Sequence, residues 1–248
     1  MSEILERGDI FFLYRPRVEE EEVEALEDVQ RFFFVLKPEG KGRFRRIVVG
    51  RKRLPEPAEH ERFWAFVDEV TARPEELREE LERFEYETQT RGERVQPEAR
   101  PAGEGRYAIV DHDGHTHLAY ALELPREPGE AQEELGIREE ASYVLAVKNP
   151  DAPTPVGVGL RPRQQADFPR ELAERFQGRR FVPVDPPDFL DHEGAKLVLI
   201  GAAEDASDEL EIRLDPERER VETADLFQTL RLRPEEHPNE PVERGEWR

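Results

Sequence analysis

Residues 31–54 read RFFFVLKPEGKGRFRRIVVGRKRL, which is two runs rich in aromatic and β-branched residues separated by a short segment with two glycines. Aromatic and β-branched side chains favour strands, and glycine supplies the positive φ that hairpin turns use. The pattern predicts a β-hairpin with strands over residues 31–37 and 43–54. Residues 9–15 have a similar composition and predict a third strand.

Positive charge is concentrated in this hairpin. Residues 37–53 contain eight basic residues and one acid, Glu39, although the chain has 58 acidic and 37 basic residues and a formal net charge of −21. Such segregation predicts either an anionic partner or an acidic cover within the chain, for which the run at residues 19–28 is the candidate. The residues predicted to bind an anion are Arg43, Arg45, Arg46, Arg51, Lys52 and Arg53.

After the hairpin, the apolar spacing predicts helices. Four apolar residues recur at helical intervals within residues 58–72, and Pro74 suits the first turn of a second helix. Residues 1–90 are therefore expected to form a first subregion. A linker rich in glycine, proline and charge is predicted at residues 91–105.

A second subregion is predicted over residues 106–203. It begins with a hairpin around Asp113-Gly114, a dipeptide typical of type I′ turns, and includes a helix at residues 130–135 and a strand at residues 196–201. Residues 204–248 are mostly charged and predict one helix and a disordered tail. The expected fold class is α+β, with two subregions that each contain a mostly antiparallel sheet and a few packed helices.

Three histidines cluster in the second hairpin. A two-residue turn at Asp113-Gly114 pairs His112 with His115, and strand alternation places His117 on the same face. Neutral imidazole is a common metal ligand, and three of them on one hairpin leave a coordination position open for water. The sequence therefore predicts a metal site at His112, His115 and His117, with an exposed polar hairpin tip as the alternative.

Composition excludes several classes of protein. The chain has no cysteine, which rules out disulfides, thiolate nucleophiles and cysteine-ligated metals. Its first residues lack the apolar core of a signal peptide, and no apolar run approaches the ~18 residues of a membrane span. We therefore expect a soluble, cytoplasmic protein without a membrane partner. Only five of the 37 basic residues are lysine, which indicates codon bias from a high-GC genome or adaptation to a salty cytoplasm.

The order of four short segments resembles PUA-like domains of the EVE type. These segments are residues 8–14 (GDIFFLY), 48–50 (VVG), 63–64 (FW) and 67–68 (VD). The resemblance covers under a third of the chain, and the acidic insertion after the first segment departs from the family's pattern. It implies an association with modified nucleic acid and identifies no functional residue.

Three functions are predicted from these observations. Because no nucleophile elbow, HExxH helix, kinase motif or phosphate-binding loop occurs, a binding or regulatory protein with a protein partner or small ligand is favoured over an enzyme. The alternatives are a nucleic-acid-binding module that uses residues 37–53 and a metal-dependent hydrolase that uses the three histidines. Cofactor and oligomeric state are left open.

Overall fold

In the computed structural model, the hairpin of residues 31–54 belongs to a large antiparallel sheet. The structure describes residues 2–88, 92–153, 165–216, 224–233 and 236–247. The strands are β1 (Glu3–Pro16), β2 (Val29–Pro38), β3 (Phe44–Val49), β4 (Arg62–Thr71), β5 (Phe84–Thr88), β6 (Gly92–Gln96), β7 (Arg100–His112), β8 (His115–Leu124), β9 (Glu140–Lys148), β10 (Phe181–Pro183) and β11 (Lys196–Ala203).

The helices in the described residues are short. They are α1 (Pro74–Glu79), α2 (Glu130–Leu135), α3 (Arg170–Arg175), α4 (Ala206–Leu210), α5 (Asp225–Thr229) and α6 (Glu240–Arg244), with 3-10 helices at Leu26–Asp28 and Pro187–Asp191. Among the described segments, none of these helices has the length and hydropathy to cross a membrane.

Eight strands close into an antiparallel barrel. The order around it is β1, β2, β3, β4, β11, β9, β8 and β7, and β7 pairs back with β1. β10 extends the sheet on β9, and β5 and β6 form a separate two-stranded sheet. Closure leaves no open edge along the barrel wall, which is how antiparallel proteins avoid edge-to-edge association.

The barrel consists of two four-stranded halves, β1–β4 and β7, β8, β9 and β11. The first strands of the two halves, β1 and β7, pair with each other, and so do the last strands, β4 and β11. The first seam pairs β1 with β7 around Asp9 and Arg106, and the second pairs β4 with β11 around Trp64 and Val198. Gly8 and Gly105 immediately precede Asp9 and Arg106 in their strands. A Cβ on either glycine would overlap a carbonyl oxygen of the strand on its other side. Glycine at these positions therefore permits the close approach of β2 to β1 and of β8 to β7 on either side of the seam.

Aromatic side chains fill the interior. The Phe12 ring centroid lies 4.9 Å from that of Tyr120 and 6.4 Å from those of Phe32 and Phe34. All four side chains are fully buried, and burial of each contributes roughly 1.5–3 kcal/mol. Strand alternation explains the pattern, because every second residue of β1 and β2 points into this core.

Helices cover two parts of the outer barrel surface. α1 and α5 bury the outward residues of β1 and β2, and α4 buries those of β7 and β8. The outward residues in the first set are Phe11, Leu13, Phe33 and Val35, and in the second set Ala108, Val110, Ala119 and Ala121. Small alanines on β7 and β8 allow the short α4 helix to lie close to the sheet.

The α+β prediction was wrong. The protein is mostly β, and strands from the two predicted subregions pair with each other at both seams of one barrel. The helix predicted over residues 58–72 is instead strand β4. Ala65 and Val67 point into the core while Trp64 and Phe66 point outward, so the apolar residues follow strand alternation as well as helical spacing. Pairing with β3 and β11 decides between these two periods.

The segments between and after the predicted subregions also contain regular structure. Residues 91–105, predicted as a linker, include β6 and the first part of β7. In the C-terminal part, predicted to hold a helix and a disordered tail, α5 and α6 pack against the barrel and the Trp247 ring lies edge-on to Tyr14, 5.3 Å away. Residues 217–223 and 234–235 of that part lie outside the described residues.

Candidate functional site

The arginines at the start of β3 are engaged in ion pairs. The Arg45 side chain is 0% exposed, and its Nη1 lies 2.6 Å from Glu6 Oε1 while its Nε lies 2.7 Å from Asp191 Oδ1. Burial by itself would lower the pKa of Arg45, but these two carboxylates outweigh burial and raise it. Asp191 also lies 2.7 Å from Arg43 Nη1, and Tyr107 donates a 2.9 Å hydrogen bond to Glu6.

Arg46 has a carboxylate environment of its own on the outer side of β3. Its Nη2 lies 2.8 Å from Asp68 Oδ2 and 3.0 Å from Glu80 Oε2, and its Nη1 lies 3.1 Å from Glu69 Oε2. Arg43, Arg45 and Arg46 are therefore already paired with acids of the same chain.

The other three predicted residues follow the end of β3. Arg53 Nη1 lies 2.8 Å from Glu61 Oε2, and the guanidinium stands over the Phe63 ring at 5.1 Å. Lys52 Nζ donates a 3.1 Å hydrogen bond to a backbone carbonyl oxygen, and Arg51 is exposed. The structure thus divides the predicted anion site into two groups at opposite ends of one strand.

Arg17 joins Arg51 and Lys52 in the second group. The pKa of Lys52 is lowered by burial and then by the charge of Arg17, which Glu27 and Asp28 only partly oppose. Within the described parts of the chain, no carboxylate oxygen lies within 4.0 Å of a charged nitrogen of Arg17, Arg51 or Lys52. These three residues therefore form a positive cluster without ion-pair partners there.

A concave space of about 560 Å³, which we call the loop pocket, opens beside this cluster. Its lining residues are Leu26, Gly50, Arg51, Lys52, Arg53, Glu61 and Phe63. A second concave space of about 510 Å³ shares Leu26 and Arg53 with the loop pocket but is rich in glutamate. Those glutamates are Glu27, Glu56, Glu59, Glu133 and Glu134. Positive and negative surfaces meet at Arg53.

Next to the loop pocket lies an outer barrel surface that we call the aromatic-basic face. Its members are the outward residues Arg62, Trp64, Phe66, Val144, Ala146, Lys148, Phe181, Pro183, Lys196, Val198 and Ile200 of β4, β9, β10 and β11. None of its apolar side chains belongs to the three packed clusters, although the inward neighbours Ala65 and Leu197 do.

Three half-exposed rings mark this face. Trp64 pairs with Val198 across β4 and β11, and the Trp64 ring lies 5.9 Å from that of Phe181. Phe66, the next outward residue of β4 after Trp64, pairs with Lys196 of β11. The adjacent ring faces and edges offer an apolar, planar surface of the kind on which flat aromatic ligands stack.

Every charged member of the face is basic. Arg62 is exposed, and the guanidinium of the neighbouring Arg180 stands 5.5 Å over the Phe181 ring. Lys148 is buried at the base of the face, where its Nζ donates a 2.7 Å hydrogen bond to the carbonyl oxygen of Asn149. The pKa of Lys148 is lowered by burial and then by Lys196 and Arg180. Positive charge therefore lies beside the rings at Arg62, Arg180, Lys148 and Lys196, in a chain that is strongly acidic as a whole.

The sequence contained a signal for this face that the helical interpretation concealed. Residues 62–66 alternate large outward side chains with Phe63 and Ala65, a period of two that indicates a strand. The lysines of β9 and β11 carry no such signal, because only the pairing of those strands brings Lys148 opposite Lys196.

The predicted histidine hairpin forms, and its turn has the expected geometry. Asp113 and Gly114 both have positive φ, and His112 pairs with His115. His112 Nδ1 is 2.9 Å from Ser2 Oγ, and His117 is buried, which lowers its pKa. In the part of the chain that the structure describes, no group of three or more His, Cys, Asp or Glu side chains is placed to hold a metal ion. The metal site at His112, His115 and His117 stays a prediction from the sequence.

No protein-family model, curated protein or solved structure matches this chain. The resemblance to PUA-like domains of the EVE type accordingly stays a prediction from the sequence.

Proposed function

We propose that this protein binds single-stranded nucleic acid on the aromatic-basic face. The observation that supports this function is the combination of three half-exposed rings with exclusively basic charged residues, in a chain with a net charge of −21. This proposal keeps the class predicted from the sequence, a binding protein. It places the binding surface on β4, β9, β10 and β11 instead of on the basic hairpin of residues 37–53.

The chemistry of the face fits unpaired bases. Stacking of a base on an aromatic side chain contributes about 1–3 kcal/mol and tolerates any base, because every base has a π-face. Trp64, Phe66 and Phe181 are positioned for such contacts. Arg62 and Arg180 at the rim pair with phosphates, and the charges of Lys148 and Lys196 beneath add to the local potential.

Net charge argues for a short single strand over a duplex. The acidic surface repels any polyanion at long range, but salt screens this repulsion beyond about 8 Å at physiological ionic strength. A local basic surface therefore acts on the few nucleotides that contact it. A duplex keeps its bases stacked inside and has no free π-face for the three rings.

Trp64 provides a direct test. The chain has two tryptophans, and replacing Trp247 by Phe leaves Trp64 as the only one. Addition of an oligothymidylate of about ten nucleotides, within the ~4–16 nucleotides bound by single OB folds, should quench its fluorescence in a saturable and salt-sensitive way.

The same oligonucleotide with a fluorescent label gives affinities by anisotropy. Trp64→Ala should weaken binding, whereas Tyr86→Ala, which removes an exposed ring from the separate β5–β6 sheet, should not. Absence of binding by the wild-type protein at low salt, or equal affinities of Trp64→Ala and wild type, would refute the proposal. In that case a protein partner for the face becomes the better hypothesis.

A further inference from the structure

We propose that the loop pocket binds the terminal phosphate of a nucleic-acid strand that lies on the aromatic-basic face. This inference rests on the proposed function and adds a class of ligand, a strand with a phosphorylated end. Three independent features of the described residues lead to it: the contact between pocket and face, the unpaired positive charge, and the acidic surface beyond.

The pocket and the face are continuous through Gly50. Gly50 lines the pocket, and its backbone N–H donates a 2.7 Å hydrogen bond to the Trp64 carbonyl oxygen. A Cβ at this position would lie 3.6 Å from Trp64 Cβ and 3.7 Å from Phe66 Cε2, so the glycine abuts the Phe66 ring and the base of the Trp64 side chain. A strand stacked on Trp64 and Phe66 therefore reaches the pocket without crossing another element.

The charge in the pocket suits a phosphate monoester. A monoester carries about −1.5 to −2 near pH 7, more than the single charge of an internal phosphodiester. Arg51 and Lys52 line the pocket and Arg17 lies beside them, and none of the three has a carboxylate within ion-pair distance among the described residues. Arg53 also lines the pocket, but its charge is already paired with Glu61.

The acidic surface past Arg53 indicates that the strand ends here. The glutamate-rich second concave space shares Leu26 and Arg53 with the loop pocket and so begins where that pocket ends. A phosphodiester chain that continued in this direction would meet five glutamates. A terminal phosphate avoids this repulsion, because nothing of the strand follows it.

The experiment compares oligothymidylates of equal length that carry a 5′-phosphate, a 3′-phosphate or no phosphate, using the full-length protein. One phosphorylated end should bind at least about tenfold more tightly than the unphosphorylated strand, the effect of one hydrogen bond to a charged group. The Arg51→Gln/Lys52→Gln double variant should lose this preference, so that its affinities for the phosphorylated and unphosphorylated strands become equal. Arg170→Gln, at a 90% exposed side chain of α3, is the matched control and should retain the preference.

The outcomes separate this inference from the proposed function. If no strand binds, the proposed function fails and the inference fails with it. If the unphosphorylated strand binds and neither phosphate improves affinity, the face binds nucleic acid but the pocket does not select an end. If thymidine monophosphate competes as well as the phosphorylated strand, the pocket's ligand is a nucleotide and the inference of a strand end is wrong.

Discussion

The two ends of β3 place arginines of one sequence cluster in opposite environments. Arg45 is fully buried between Glu6 and Asp191, which lie 39 and 146 residues away along the chain. Arg51 is exposed and has no carboxylate within ion-pair distance in the described residues. Burying a charge costs several kcal/mol unless a partner offsets it, so distant carboxylates decide which arginines stabilise the barrel and which stay available to a ligand.

The largest effect expected from this comparison is on stability. Arg45→Leu leaves Glu6 and Asp191 in a buried site without their shared cation, and should lower the free energy of unfolding by about 3–5 kcal/mol. Arg51→Leu should change it by no more than about 0.5 kcal/mol, since its side chain is exposed. Urea denaturation of both variants measures the contrast. Similar losses in the two variants would contradict it.

The next effect concerns ligand affinity. Trp64→Ala should weaken binding of a single-stranded oligonucleotide by about 1–3 kcal/mol, or roughly 5- to 150-fold, because one stacking surface is lost. Its unfolding free energy should fall less than that of Phe12→Ala, since Phe12 is fully buried and Trp64 is half-exposed. A Trp64→Ala protein that loses as much stability as Phe12→Ala would show that the ring is structural.

A smaller effect is expected from the exposed arginine of the face. Arg62→Gln should reduce the slope of log affinity against log salt concentration by about 1, with the loss of one phosphate contact. Arg94→Gln, whose side chain pairs with Glu19 away from the face, is a control that should leave the slope unchanged. Anisotropy titrations over a range of salt concentrations provide both slopes, and equal slopes would argue against phosphate contact at Arg62.

The smallest expected effect is a pH dependence of stability from the Lys41–Asp188 ion pair, near the start of β3. A hydrogen bond from Lys41 lowers the pKa of Asp188 from 3.8, so its carboxylate stabilises the fold above pH 3.8 and this contribution is lost as pH falls below that value. Asp188→Asn should destabilise the protein by less than about 1 kcal/mol at neutral pH, because the pair is partly exposed. The difference from wild type should vanish in acid. A difference that persists in acid strong enough to protonate the Asp188 carboxylate would point to another cause.

Local signals in the sequence predicted several elements correctly. The β2–β3 hairpin follows its glycine-containing turn, the β7–β8 hairpin follows Asp113-Gly114, and α2 spans the predicted residues 130–135. Each depends on contacts between residues near in sequence, where turn chemistry and alternation are sufficient. The fold class was wrong because residues 58–72, predicted as a helix, form strand β4 between β3 and β11, and because strands predicted to form two sheets close one barrel.

The candidate face was beyond local signals for a related reason. Trp64, Lys148 and Phe181 are far apart in the chain, and they share one surface only because β11 lies between β4 and β9 and because β10 pairs with β9. The concentration of positive charge near residues 37–53 was visible, but its division into paired and unpaired groups was not. That division is made by carboxylates of β1, of residues just before and within β4, and of the 3-10 helix at Pro187–Asp191.

By itself, the sequence determined the charge of the protein, the lack of cysteine chemistry and the hairpins that short turns specify. The tertiary structure alone decided that two sets of strands close one barrel, which arginines are neutralised and which rings share a basic surface. The physical reason is that turn geometry depends on neighbouring residues, whereas barrel closure, desolvation and ion pairing depend on residues that only folding brings together.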